Sequence, residues 1–136
     1  MNALTLHLEG ARQYERIENV ASFVGEDASG SFGILPGHAP MCTVLEFGLA
    51  RFRAAGGEWQ FIAAPGAVLR LAGQELHFST RRYLRDADFE RVRVALREQL
   101  LAEENALRDI RNGLRRLEEE MLKRLWKLGR AGEAPL

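Results

Sequence analysis

The chain has 136 residues with 19 basic and 19 acidic side chains, so its formal net charge is zero. That balance excludes recognition driven by bulk attraction to nucleic acid or to an anionic membrane, and 46% apolar residues excludes global disorder. Cys42 is the single cysteine and forms no internal disulfide, while His7, His38 and His77 lack metal-ligand spacing, so no metal is expected.

No run approaches the roughly 20 apolar residues of a membrane span, and the opening MNALTLHLEG lacks the basic-then-apolar layout of a signal peptide. Those features predict a chain on the cytoplasmic side with no direct membrane insertion. Residues 1–80 carry 5 basic and 8 acidic groups and 10 of the 13 glycines, whereas residues 81–136 carry 14 basic and 11 acidic groups. Two kinds of structure are therefore joined.

The first part reads as short strands. Leu4, Leu6 and Leu8 alternate with polar residues, which predicts a strand with one buried face. Ala50, Phe52 and Ala54 alternate with Arg51 and Arg53, and Gly56-Gly57 then supplies the turn of a hairpin that returns through residues 58–62. Turn signals at Pro65-Gly66 and Gly73-Gln74 bracket a strand at residues 68–71, and residues 76–80 close the series. This spacing predicts a sandwich or flattened barrel. Phe52, Trp59, Phe61 and Phe78 read as its core or an interface. Cys42, on an apolar strand, is expected to be buried, and His7 and His77 fall on the solvent-facing phase of their strands.

From Asp86 the period becomes helical, with Asp86 or Asp88 placed to accept hydrogen bonds from a first turn. Phe89, Val92, Leu96 and Leu100 share a stripe, and Leu107, Ile110, Leu114, Leu117, Met121, Leu125 and Leu128 continue at spacings of three and four. Glu103-Glu104-Asn105 and Asn112-Gly113 are candidate breaks, so one long helix and a two-helix hairpin both remain open. The expected domains are a β-sandwich over residues 1–85 and a helical part over residues 86–136.

The most specific segment is Ser31-Phe32-Gly33-Ile34-Leu35-Pro36-Gly37-His38-Ala39-Pro40. It resembles the GxFGILPGHAP signature of the epsilon subunit of F-type ATP synthases, and the likeness extends through the following apolar strand, Pro65-Gly66 and the switch to helix past residue 85. The resemblance implies an N-terminal sandwich of about ten strands and a helical C-terminal domain. It also implies a non-catalytic rotor subunit that links the gamma subunit to the c ring and couples ion translocation to ATP synthesis. The positions it implies for docking to the c ring and gamma are Ala28, Ser29, Gly30, Ser31, Gly37 and His38, with Ala28 to Ser31 and His38 closest to the ring. Prolines that fix the backbone and glycines that permit close approach suit a rigid docking loop, although the same residues also make an ordinary turn with His38 on a backbone carbonyl.

Two further sites follow from the resemblance. Ala87-Asp88-Phe89-Glu90-Arg91-Val92 is similar to the [IL]DxxRA motif by which some epsilon subunits hold regulatory ATP. Asp88 and Arg91 match it, while Ala87 and Val92 depart from it. A capped helix start explains the same pair, and no cofactor is otherwise expected. Between Arg108 and Arg130, 8 basic residues stand against 4 acidic ones. The resemblance implies an inhibitory helix in which Arg115, Arg116 and Arg124 meet acidic segments of the catalytic alpha and beta subunits. The leucine-rich stretch 114–128 resembles the N-type, sodium-translocating branch. The competing readings are a free-standing sandwich adaptor with a dimerising coiled-coil helix, and a Cys42–His38 hydrolase.

Overall fold

The computed structural model describes residues 3–133, with side chains through Gly129, so Arg130 lies outside the described side chains. Alternation builds β1 (Leu4–Glu9), whose three leucines are fully buried. It pairs in parallel with β8 (Glu75–Ser79) and antiparallel with β2 (Tyr14–Asp27). β8 continues to β7 (Ala67–Ala72), and β7 pairs with β4 (Met41–Leu45). The ladder then passes from β4 to β2 at Asp27–Leu45, which closes a ring of strands.

A second run leaves β2 through β5 (Gly48–Ala54), β6 (Trp59–Ala64) and β9 (Leu84–Asp86). β3 (Gly30–Ile34) adds to the other part of β2. The 14-residue β2 thus serves both layers, and it bends where register shifts between Val20 and Ser22, beside Asn19 at φ 59°. Nine strands form among the described residues, against the expectation of about ten. The long β2 and the short β9 carry no clean alternation and are not legible in the periodicity.

The expected hairpin of β5 and β6 forms, with Arg53 opposite Trp59, Arg51 opposite Phe61 and Gly56 at φ +72° in the turn. The aromatic residues divide by strand parity. Phe52 and Phe78 are buried with Phe23, Ile62 and Tyr83, whereas Trp59 and Phe61 lie half-buried on the outer face. Full burial of each such side chain contributes about 1.5–3 kcal/mol.

One expectation is overturned, and another holds in phase but not in surroundings. Cys42 is exposed, because β4 turns Leu45 to the core with Met41 and Thr43 in the same phase, which puts Cys42 and Val44 outside. His7 and His77 take the outward phase as expected, but they are not free in solvent. Opposite one another in the parallel β1–β8 ladder, their rings stack at 4.5 Å and 8°, and Tyr14 hydroxyl lies 2.6 Å from His7 Nδ1.

Contacts divide the chain into two compact units, residues 1–101 and 102–136. The first extends past Arg85, where strand gives way to helix. It includes α1 (Phe89–Ala95) and a π-helical turn (Leu96–Leu100), because Val92 and Leu100 bury against Ala63 with Phe47, Leu49, Phe61, Leu84 and Leu96 around them. In the second, α2 (Leu101–Glu133) runs without a break through Asn105 and Gly113, so the hairpin alternative is replaced by one long helix. Neither candidate break contains proline, and a single glycine costs only about 1 kcal/mol in a helix interior.

Candidate functional site

The signature segment folds as β3 followed by a loop to β4. Leu35 carbonyl accepts from His38 N–H at 3.1 Å, and Gly37 sits at φ +87°. A β-carbon built on Gly37 would meet nothing within 4 Å, so glycine is required by backbone angle alone and not by close packing. His38 Nδ1 lies 2.7 Å from the Ala39 carbonyl. No hydrogen bond joins His38 to Cys42 among the described residues, and the nucleophile–base geometry of a hydrolase is not formed.

Of the other expected docking residues, Ala28 and Ser29 make the turn between β2 and β3, and Gly30 and Ser31 open β3. Asp27 organises the turn. Its carboxylate accepts from Ser29 N–H at 2.9 Å and from the Ser29 hydroxyl, and its second oxygen accepts from Thr43 Oγ1 at 2.8 Å. The Ser29 hydroxyl and then Thr43 hold the Asp27 carboxyl below the usual aspartate range. Gly30 takes φ +120° at the turn exit. Asp27 and Thr43 are absent from the sequence-derived site, although Asp-Ala-Ser-Gly is a recognisable Asx-turn pattern.

The turn at Ala28–Ser31 and the loop at Gly37–His38 are not brought together. They occupy opposite ends of β3, whose five residues span about 17 Å at the usual strand rise. Both are exposed apart from the half-buried Gly30.

Asp88 and Arg91 are brought together, but toward each other. Asp88 Oδ1 caps the helix by accepting from Glu90 N–H at 3.0 Å. Arg91 lies 3.7 Å from both Asp86 and Asp88 carboxylates. The Asp86 carboxyl is held low chiefly by the Asp88 N–H, with the Arg91 charge assisting. A cleft of about 210 Å³ lined by Leu84, Asp86, Arg91, Val92 and Gln99 lies alongside. Two carboxylates facing the one guanidinium fit a triphosphate poorly, because a phosphate would have to displace both.

Arg115, Arg116 and Arg124 are exposed on α2, as are Ile110, Leu114, Leu117, Met121 and Leu125. None of the three arginines has an ion pair among the described residues. No described helix is long and apolar enough to cross a membrane.

The family model for the ATP synthase delta/epsilon chain β-sandwich domain matches residues 6–86. The chain is 40% identical over 121 residues to an ATP synthase epsilon chain 2 of Cereibacter sphaeroides, covering 88% of this chain and 83% of that one. An ATP synthase epsilon chain of Psychrobacter arcticus is 31% identical over 71 residues, about half of each chain. Among solved structures, a chain of the Euglena gracilis mitochondrial ATP synthase superposes with TM-score 0.59 at 19% identity, covering 72% of this chain and 64% of that one. A chain of the Tetrahymena thermophila mitochondrial ATP synthase central stalk and c ring gives 0.52 at 11% identity, covering 60% and 65%. At those identities the structures establish the fold, whereas the family model and the Cereibacter relative establish kinship.

Proposed function

Because the chain belongs to the ATP synthase delta/epsilon family and is an epsilon subunit of that enzyme, we propose that its sandwich is the rotor element joining the gamma subunit to the c ring. The observation that carries this reading is the family match across residues 6–86, which takes in all of the sandwich but the first two residues of β1, with both of its exposed ends. A rotor clamp must transmit torque, so its contact points have to be stiff. The Asp27–Thr43 brace and the fixed turn at Gly37 meet that requirement.

The separation of the two ends sharpens the proposal. A turn and a loop about 17 Å apart along one strand suit two different partners. The turn at Ala28–Ser31 meets the c ring, and the loop at Gly37–His38 meets gamma. The subunit itself performs no catalysis. It acts at the cytoplasmic face, peripheral to the membrane through the complex. Asp88 and Arg91 are read as a helix cap and its ion pair, with no cofactor.

The exposed apolar stripe and unpaired arginines of α2 support an inhibitory helix that packs its leucines on gamma while Arg115, Arg116 and Arg124 pair with acidic segments of the catalytic subunits. The leucine-rich stretch 114–128 favours the N-type, sodium-translocating branch. Co-purification of the tagged full chain with separately expressed gamma and c subunits tests the central reading. Recovery of a ternary complex supports it. Recovery of a homodimer free of both would support the coiled-coil adaptor instead.

A further inference from the structure

The outer face of the β5–β6 hairpin holds a cationic feature, Arg51, Arg53 and Trp59, that the docking turn and the loop at Gly37–His38 do not include. Arg51 and Arg53 project to the same side of β5, because Ala50 and Phe52 occupy the inward positions. Both guanidiniums lie over the Trp59 ring, with their carbons 4.6 Å and 5.2 Å from its centroid. Among the described residues neither has a carboxylate within ion-pair distance. By contrast Arg85 is neutralised by Glu15 at 2.8 Å and Arg93 by Glu90 at 2.9 Å. The acids nearest in sequence or register, Glu26, Glu58 and Asp86, make no ion pair with the two, and Asp86 is engaged by Asp88 N–H and Arg91.

A guanidinium held over an indole by cation–π attraction gives up part of its rotamer freedom in advance while its N–H donors remain able to take a carboxylate in bidentate fashion, so binding an acid there has a smaller entropic cost. Beside the pair runs a groove whose floor is apolar, Val24, Leu49, Phe61 and Phe89, with Arg51, Glu26 and Ser31 at its walls. Phe61 and Phe89 meet edge to face at 5.2 Å, and Phe89 remains 44% exposed. The groove encloses about 150 Å³, below the roughly 300 Å³ at which small-molecule pockets begin.

We infer that Arg51, Arg53 and Trp59, with the Val24–Phe89 groove, bind an acidic segment of a neighbouring subunit, its carboxylates on the two arginines and one apolar side chain in the groove. Charge complementarity selects the acid and the groove selects the anchor. A free phosphate would leave the groove empty, and it would find no converging backbone N–H groups on a paired strand. The inference rests on the chain working within the synthase, but not on which end of the sandwich meets the ring.

The test uses the assembled synthase containing the full chain with Val24 replaced by the photo-cross-linker p-benzoylphenylalanine, and reads the adduct by mass spectrometry. The expected adduct is a segment of another subunit in which Asp or Glu flanks an apolar residue. Its yield should fall at least about fivefold in Arg51→Glu/Arg53→Glu and decline as salt screens the contact. Arg51→Lys/Arg53→Lys retains the charges and should keep part of the yield, while Arg51→Gln/Arg53→Gln should lose it. That second comparison decides the matter if the reversal variant does not assemble.

An adduct on lipid, an adduct on a segment without acids, or a yield indifferent to both charge removals overturns the inference. So does abolition of the adduct by inorganic phosphate at matched ionic strength. Failure of the unsubstituted chain to enter the synthase would count against the rotor reading. Normal assembly without an adduct counts against this surface alone.

Discussion

Thr43, in the middle of β4, donates its hydroxyl to Asp27 at the end of β2 across 2.8 Å, and the same carboxylate holds Ser29 in the adjoining turn. One acid thereby ties the exposed turn at Ala28–Ser31 to a strand that is paired along its length with β7. The relationship braces a surface turn, as its proposed role in docking requires.

Asp27→Ala should therefore weaken binding of the gamma and c-ring assembly by more than the small fall in the urea midpoint that loss of its hydrogen bonds produces. Thr43→Val should produce a smaller loss in the same direction. The measurement is retention of the variant subunit on immobilised gamma–c complex beside its denaturation curve. Wild-type retention by Asp27→Ala would remove the turn from the docking site.

The pH dependence of the brace has a defined sign. Hydrogen bonds from Ser29 and Thr43 favour the ionised Asp27, so its folded-state value lies below the ordinary 3.8. The stabilisation is complete above 3.8 and is lost as pH falls through the lower folded value. Asp27→Asn lacks the ionised group, so it should be less stable than wild type at neutral pH, with the difference shrinking as pH falls below about 4 and the acid limb correspondingly flatter. An identical acid limb in both proteins would show that the carboxylate is not engaged as described.

Gly37 is held at φ +87° with open space where a side chain would be. Gly37→Val should then cost about 1–2 kcal/mol of stability through the backbone alone, and ATP-driven ion pumping in membrane vesicles should weaken with the displaced loop. D-alanine at position 37, introduced by chemical ligation, suits this backbone angle and should restore both. Loss of pumping with D-alanine as well would point to a packing contact at Gly37.

The helical segment up to Leu100 belongs to the sandwich unit, which changes what a truncation does. A chain ending at Leu101 keeps Val92 and Leu100 on Ala63, whereas one ending at Arg85 removes both. The shorter form should fold with stability lower by about 3 kcal/mol or more, from the two buried side chains together. Thermal unfolding of the two truncated chains reads this directly, and equal midpoints would show that the contact contributes nothing.

Much of this was legible in the chain. Strict alternation at Leu4–Leu8 and Ala50–Ala54 reports burial on one face and needs no tertiary information, and the structure follows it. The stripe Val92–Leu96–Leu100 likewise finds its partner on β6. Where the reading failed, a neighbour decided the outcome. His7 and His77 sit in the outward phase as expected, yet parallel pairing of β1 with β8 stacks one ring on the other, a relation between residues 70 apart that no local period contains. Cys42 looked like core because its strand is apolar, and only the phase imposed by pairing with β7 turns it outward. Asp27 was missed because its importance comes from Thr43, 16 residues away across the fold.

For α2, replacing Arg115, Arg116 and Arg124 by Glu should raise ATP hydrolysis by the assembled enzyme, and added salt should weaken wild-type inhibition in parallel. Removing residues 104–136 should raise it as much or more. Unchanged hydrolysis in both, with the subunit retained, would make the helix a structural brace.

The most direct test of the rotor reading is paired photo-cross-linking in the assembled synthase, with p-benzoylphenylalanine at Ala28 in one preparation and at His38 in another. The two positions lie at opposite ends of β3, so Ala28 should give an adduct with the c subunit and His38 an adduct with gamma. Adducts of both positions with a second copy of this chain, or with neither gamma nor c, would contradict the proposal that the sandwich joins the shaft to the ring.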